Sequence, residues 1–209
     1  LFVSRCGLDL TALPPRKQRP DDRLRIICVG RLSPEKGHFG LLRSFRDILN
    51  LGIDAELVLV GNGPLESELK KVADDLELGA SLVFLGRQDE RRTLEAIASS
   101  HVLVLASFME GLPIVLMEAM AIGVAAIGPR VAGTPELIED GKEGLLFTPA
   151  DWDELTTKLV ALARDEDLRR RLADAARHKI EREFEIGKSV KPLLSRFAQL
   201  GFESSRSGA

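Results

Sequence analysis

The chain has 209 residues with 29% charged residues, which is the composition of an ordinary globular protein of one large or two small domains. The formal net charge of −3 argues against a nucleic-acid-binding surface, so any phosphate site must be local. The two cysteines, Cys6 and Cys28, indicate no disulfide framework and fit a reducing compartment. The longest apolar run is interrupted by Glu118 and is too short to cross a bilayer. We therefore expect a soluble, cytoplasmic chain.

The first 24 residues combine a short apolar stub, a turn and a polar linker rich in proline and charge. Natural proteins rarely begin in this way, so we expect that residues upstream of this segment have been removed.

From residue 25 onward, short apolar runs alternate with segments of helical periodicity. The predicted strands are 25–31, 55–60, 81–85, 102–105, 124–127 and 143–146. The predicted helices are 38–51, 65–78, 90–99, 113–122, 135–138, one capped by Asp151, 165–184 and 187–200. Alternation with short connections predicts an α/β fold, a doubly wound parallel sheet of about six strands with C-terminal helices. Ligands of such sheets bind beyond the carboxyl ends of the strands, so the loops there are the informative segments.

Two cations, Arg31 and Lys36, follow the first predicted strand. A cationic pair beside a helix N-terminus suits a diphosphate, but position alone slightly favours two solvated surface cations. The next two loops carry 61–63, Gly-Asn-Gly, and then Gly86 with Arg87. Each permits a close approach of the backbone to a ligand, and each also fits a plain turn.

Two carboxylates, Glu110 and Glu118, lie eight positions apart around the helix that follows the fourth strand. Glu110 lies in the polar turn with Gly111, and Pro113 suits the first helical position because its φ angle is fixed. The helix that carries Glu118 is otherwise almost wholly apolar, which predicts a buried helix. Because an unpaired buried charge is costly, Glu118 must meet a structural cation, lie at a wet margin, or face a ligand cleft and accept hydrogen bonds from hydroxyl groups.

Several other kinds of site are not indicated. The chain has no Gly-x-x-x-x-Gly-Lys-Ser/Thr phosphate loop, and no Gly-x-Gly-x-x-Gly opens the first helix, so we expect no nicotinamide dinucleotide. His38, His101 and His178 lack the spacing of metal ligands, so we expect no metal site.

The two acids form the Glu-x7-Glu motif of the retaining glycosyltransferases of family 4, also called group 1. The surrounding sequence resembles that family from roughly residue 3 to residue 200, with motifs in the family's order. The segments that carry the resemblance are 29–37, 60–64, 109–123 and 133–146.

The resemblance implies a GT-B enzyme, which has two facing Rossmann-like domains, and this chain is similar to the C-terminal, nucleotide-sugar-binding one. Residues 1–24 would be a junction from a missing N-terminal domain, and 25–186 the donor-binding domain. Residues 187–203 would form a helix that crosses back to the N-terminal domain, and 204–209 a disordered tail.

The resemblance also implies a role for each site residue. Arg31 and Lys36 would bind the donor diphosphate and stabilise the leaving group, and Glu110 would contact the donor sugar near the reacting centre. These three are the expected catalytic residues, whereas Glu118 would accept hydrogen bonds from the ribose hydroxyls. The other expected donor-binding residues are Gly30, Gly61, Gly86, Arg87, Gly111, Leu112 and Ile114.

The reaction that the resemblance implies is transfer of a hexose from a nucleoside-diphosphate sugar to a glycan, lipid or small acceptor. No metal or other cofactor is expected, because the cationic pair neutralises the diphosphate. The acceptor site, and any contact with the inner face of a membrane, would belong to the missing domain, so the chain alone should bind nucleotide and transfer nothing. Two alternatives stay open: half of a GT-B-type UDP-sugar epimerase, and a non-catalytic sugar-nucleotide or protein-interaction module.

Overall fold

A computed structural model describes residues 6–17 and 23–199, and the tail predicted at 204–209 lies outside these residues. Six strands form one sheet in the order β3-β2-β1-β4-β5-β6, and all five neighbouring pairs are parallel. The strands are β1 (Leu24–Val29), β2 (Ala55–Val60), β3 (Leu82–Gly86), β4 (Val102–Val104), β5 (Ala125–Pro129) and β6 (Leu145–Phe147). The predicted doubly wound parallel sheet is therefore confirmed, and its order reverses between β1 and β4.

Helices cover both faces of the sheet. They are α1 (His38–Asn50), α2 (Glu66–Asp75), α3 (Glu90–Ala98), α4 (Ile114–Ile122), α5 (Thr134–Leu137), α6 (Trp152–Arg164), α7 (Glu166–Glu183), α8 (Ile186–Ser189) and α9 (Lys191–Gln199). One buried cluster joins the sheet to α1, α2 and α6, and a second joins it to α3, α4 and α7. Adjacent residues of β1 alternate between them, with Ile26 and Cys28 in the first and Ile27 in the second. This alternation follows from the period of two along a strand.

Helix α4 is the most buried helix near the carboxyl ends of the strands. Six of its nine residues are buried, and Gly123 ends it in the left-handed conformation at φ 88°. The prediction that Pro113 is the first helical residue is wrong. Pro113 has ψ 104°, which is extended, and precedes the helix as its N-cap residue, with its carbonyl accepting from the N–H groups of Leu116 and Met117.

The prediction of a single helix over 187–200 is also wrong. The structure contains two helices there, α8 and α9, with a break at Val190. Pro192 explains the break. Its nitrogen carries no hydrogen, and its ring would clash with the carbonyl four residues earlier, at Lys188, if the helix were continuous. Within the described residues, none of the helices is both long enough and apolar enough to cross a membrane.

Candidate functional site

The loops after β1 and β2 are held together by backbone hydrogen bonds that continue the sheet. The N–H of Gly30 donates to the carbonyl of Val60 at 2.9 Å, and the N–H of Gly61 donates to the carbonyl of Gly86 at 2.9 Å. Gly61 has φ 135°, and a Cβ atom at this position would overlap the carbonyl oxygen of Gly30. A side chain at position 61 is thus excluded both by the backbone conformation and by the lack of space, so the close approach of these loops depends on glycine.

A cavity of about 390 Å³ opens at this edge of the sheet. It is lined by ten residues, none of them acidic: Val29, Gly30, Arg31, Val60, Gly61, Asn62, Gly63, Arg87, Gln88 and Thr93. Arg31 and Arg87 are exposed, and within the described chain neither guanidinium has an ion-pair partner. A cavity with two arginines and no acid favours an anionic ligand.

The loop after β4 is fixed against the loop after β1. The N–H of Phe108 donates to the carbonyl of Glu35 at 2.8 Å. Gly37 adopts the left-handed conformation at φ 66°, where a Cβ atom would overlap the carbonyl oxygen of Ala106. These contacts place Lys36 opposite Glu110, although the two residues are 74 positions apart in the chain.

Lys36 and Glu110 form an ion pair, with 2.7 Å between Nζ and Oε1. The side chains are 24% and 11% exposed, so the pair is partly shielded from water. The aliphatic stem of Lys36 runs past the Cα of Gly30, where a Cβ atom would lie 3.8 Å from Cδ. Gly30 also lines the cavity, so the stem of Lys36 passes beside the cavity wall.

The thiol of Cys28 lies in β1, near this pair. Burial raises its pKa to about 12, while the charges of Lys36 and Glu110 act on it in opposite directions. The thiol is therefore neutral at physiological pH and unsuited to nucleophilic chemistry.

Glu118 lies on α4, half-buried, and in residues 6–17 and 23–199 the structure gives it no cationic partner. Within these residues nothing supports the interpretation of Glu118 as one half of a structural ion pair. Burial, together with the charge of Glu90 at the start of α3, raises the pKa of Glu118 to about 7. The carboxyl group is thus divided between its two protonation states near neutral pH, and either form can accept hydrogen bonds from hydroxyl groups.

The structure brings most of the predicted site residues to one edge of the sheet. Gly30, Arg31, Gly61 and Arg87 line the cavity, and Lys36 is paired with Glu110 beside it. Gly86 supplies the carbonyl that fixes the second loop. Gly111 and Leu112 lie in the loop before α4, and Ile114 is the first residue of that helix, whose first N–H groups have no acceptor within the helix.

The sequence prediction missed Gln88, Thr93 and Glu90. Gln88 and Thr93 line the cavity, and each side chain donates to a backbone carbonyl, that of Leu85 at 2.7 Å and that of Asp89 at 2.8 Å. Glu118 is not in the cavity wall, but it lies near Glu90. Glu90 is on α3, the helix that contributes Thr93 to the wall. Gln88 could have been predicted, because it directly follows the predicted site residues Gly86 and Arg87. Thr93 and Glu90 could not, because they resemble ordinary residues of an exposed helix. The described residues contain no group of three or more His, Cys, Asp or Glu side chains arranged to hold a metal ion.

The order of the parallel sheet and the helices on both of its faces are those of a Rossmann-like domain of the kind found as the C-terminal half of GT-B enzymes. Comparison with solved structures supports this class. The C-terminal domain of a group 1 family glycosyl transferase from Francisella tularensis superimposes with a TM-score of 0.79 at 24% identity, covering 86% of this chain and 100% of that one. HepE of Anabaena, solved with UDP and glucose, gives a TM-score of 0.82 at 21% identity, covering 94% of this chain and 56% of that one.

The sequence model of the family described as glycosyl transferases group 1 matches residues 11–179, and the chain belongs to this family. Among curated relatives, N-acetyl-alpha-D-glucosaminyl L-malate synthase of Bacillus anthracis is 36% identical over 182 residues, which are 87% of this chain and 47% of the relative. The sulfoquinovosyl transferase SQD2 of Arabidopsis thaliana is 33% identical over 189 residues, which are 84% of this chain and 36% of the relative. The chain thus spans half or less of the length of these relatives.

Proposed function

We propose that this chain is the donor-binding domain of a retaining glycosyltransferase that transfers a hexose from a nucleoside-diphosphate sugar to a glycan, lipid or small acceptor. The observation that carries the proposal is the Lys36–Glu110 pair beside an acid-free cavity that contains Arg31. Cations at this edge of the sheet fit a diphosphate, and an acid within reach of them fits the sugar attached to it.

In this proposal Arg31 and Lys36 bind the diphosphate and stabilise the negative charge that develops on it as the bond to the sugar breaks. The first N–H groups of α4, which follow Gly111 and Leu112 in the chain, add partial positive charge to the diphosphate site. Glu110 binds a sugar hydroxyl, and Glu118 accepts hydrogen bonds from the ribose. Charge stabilisation then requires no metal, so donor binding should be unchanged in EDTA.

The base of the donor needs a direct binding test, because the names of the curated relatives specify different sugars. The name of one from Corynebacterium glutamicum specifies GDP-mannose, and that protein is 31% identical over 166 residues, which are 76% of this chain and 43% of the relative. A binding panel should therefore include UDP, GDP and ADP with their sugar conjugates.

The first test is a thermal-shift panel with those nucleotides. A ligand at ten times its Kd stabilises the folded chain by about 1.4 kcal/mol, which raises Tm by about 3–6 °C for a chain of this size. The double variant Arg31→Ala, Lys36→Ala should lose the shift while it still unfolds cooperatively, at a Tm somewhat lower than that of the wild type because Glu110 loses its partner.

The matched control is Arg43→Ala, Lys71→Ala, which removes two exposed cations from α1 and α2. This control has the same change in net charge and should keep the full shift. Absence of a response to every nucleoside diphosphate and sugar conjugate at millimolar concentration would contradict the proposed site.

A further inference from the structure

The ammonium group of Lys36 is already bonded to an acid in this structure, at 2.7 Å from Glu110 Oε1. A diphosphate that uses Lys36 must therefore share this ammonium with Glu110. Lysine has three N–H donors, so one group can serve both partners, but their negative charges then face each other across it. The Phe108–Glu35 backbone bond holds the two loops together, which keeps Glu110 within reach of Lys36.

Donor and product present different groups to this acid. In a sugar nucleotide the terminal phosphate is a diester with one negative charge, and the attached sugar offers hydroxyl groups that can donate to a carboxylate. In the nucleoside diphosphate the same phosphate is a monoester, whose second pKa near 6 gives it a charge of about −1.5 to −2 at pH 7. The product thus has more charge and no hydroxyl donor next to Glu110.

Resting on the function proposed above, we propose that Glu110 makes the site discriminate against the nucleoside diphosphate product and in favour of the sugar-bearing donor. With donor bound, a sugar hydroxyl donates to the carboxylate and compensates for the weakened bond to Lys36. With product bound, the carboxylate competes for Lys36 and repels the terminal phosphate, which promotes product release.

The shielding of the pair sets the size of the effect. Exposed ion pairs contribute at most about 1 kcal/mol to stability, and this pair is more shielded than those. Because the product must compete with the acid for Lys36, removing the acid should tighten product binding by about fivefold or more. Glu110→Gln is the suitable variant, because the amide keeps the shape of the side chain and its oxygen can still accept from Lys36.

The test is calorimetric titration of the 209-residue chain with pyrophosphate, with UDP, GDP and ADP, and with their glucose conjugates. Glu110→Gln should tighten the binding of pyrophosphate and of the cognate nucleoside diphosphate about fivefold. It should leave the sugar conjugate unchanged or weaken it, so that the preference for donor over product becomes smaller.

Glu68→Gln is the matched control, because it removes one acid from an exposed position of α2 that does not line the cavity. It should change each Kd less than twofold. If the wild type binds nucleotide but Glu110→Gln leaves the product Kd unchanged, or tightens donor and product equally, the inference is overturned and the proposed function stands. If the wild type binds neither pyrophosphate nor any nucleotide, both are overturned.

Discussion

At the scale of single residues, Glu118 is the described carboxylic acid whose surroundings most oppose its charge. Burial and the neighbouring Glu90 raise its pKa to about 7, whereas an acid of this type in the unfolded chain titrates near 4.5. The folded chain therefore keeps a proton that the unfolded chain has released between these two values. By linkage, the contribution of Glu118 to the free energy of unfolding decreases as pH rises from about 4.5 to 7 and is then constant.

The substitution Glu118→Gln should remove this dependence, because glutamine has a similar shape and no charge. Because Glu118 is partly exposed, we expect its raised pKa to lower the free energy of unfolding at pH 8 by only about 1–2 kcal/mol. The Tm of the variant relative to the wild type should therefore increase by about 2–6 °C between pH 5 and pH 8. Differential scanning calorimetry at the two pH values measures this difference.

Glu68→Gln, at an exposed position of α2, is the control for the general effect of one less charge. Its Tm relative to the wild type should be the same at both pH values. An equal difference for Glu118→Gln at pH 5 and pH 8 would show that the pKa of Glu118 is not raised.

At the scale of elements, Trp152 connects the site to the packing of α1 against α6. Its ring lies edge-on to Phe108, with centroids 5.9 Å apart at 78°, and its carbonyl accepts from the hydroxyl of Ser44 at 2.9 Å. A Cβ atom at Gly40 on α1 would overlap the indole ring. The two helices can approach this closely because position 40 has no side chain, and the loop that carries Glu110 rests on the same indole.

Gly40→Ala should therefore displace the indole ring and destabilise the chain by about 1–3 kcal/mol, as overpacking of a core does. Trp152 is the one tryptophan in the sequence, so its fluorescence emission reports the displacement directly. Gly52→Ala, at φ 76° with open space around the added carbon, is the comparison. It should cost about 1–2 kcal/mol of backbone strain and leave the emission maximum unchanged. An unchanged emission maximum in Gly40→Ala would disprove this account of the helix contact.

At the scale of the whole molecule, the segment before the sheet meets the turn that follows α7. The N–H of Leu8 donates to the carbonyl of Phe184 at 2.8 Å, and the N–H of Ile186 donates to the carbonyl of Leu8 at 2.9 Å. The segment before the sheet and the segment after α7 are thus joined by backbone bonds. In the two-domain enzyme that we propose, this junction is where the acceptor-binding domain would connect.

The chain alone should bind a sugar nucleotide and transfer no sugar, because the orientation of an acceptor against the donor supplies much of the rate enhancement in a transfer reaction. Release of nucleoside diphosphate from the cognate donor, followed with a coupled assay, should stay at the rate without protein. The two-domain parent, assayed with the same donor and an acceptor, is the positive control. Release of nucleoside diphosphate by the chain alone above that background would contradict this prediction.

Much of the fold follows from local patterns in the sequence. Fully apolar runs such as 102–105 predict strands buried on both faces, and their alternation with amphipathic helices predicts a parallel sheet. Two predicted helix boundaries are wrong because each depends on the local geometry of one proline. Pro192 divides the last helix through a clash with the preceding turn, and Pro113 has an extended ψ angle and caps α4 instead of entering it.

For the candidate site, the sequence by itself determined the residue types and the edge of the sheet, because parallel strands bring the loops after their carboxyl ends to one side. It left open which side chains meet. Lys36 and Glu110 are 74 positions apart, and their contact depends on the Phe108–Glu35 backbone bond and on the conformation of Gly37. The raised pKa of Glu118 likewise depends on burial and on Glu90 from another helix. Only the tertiary structure decides such contacts, because distance and shielding between remote residues are set by how the elements pack.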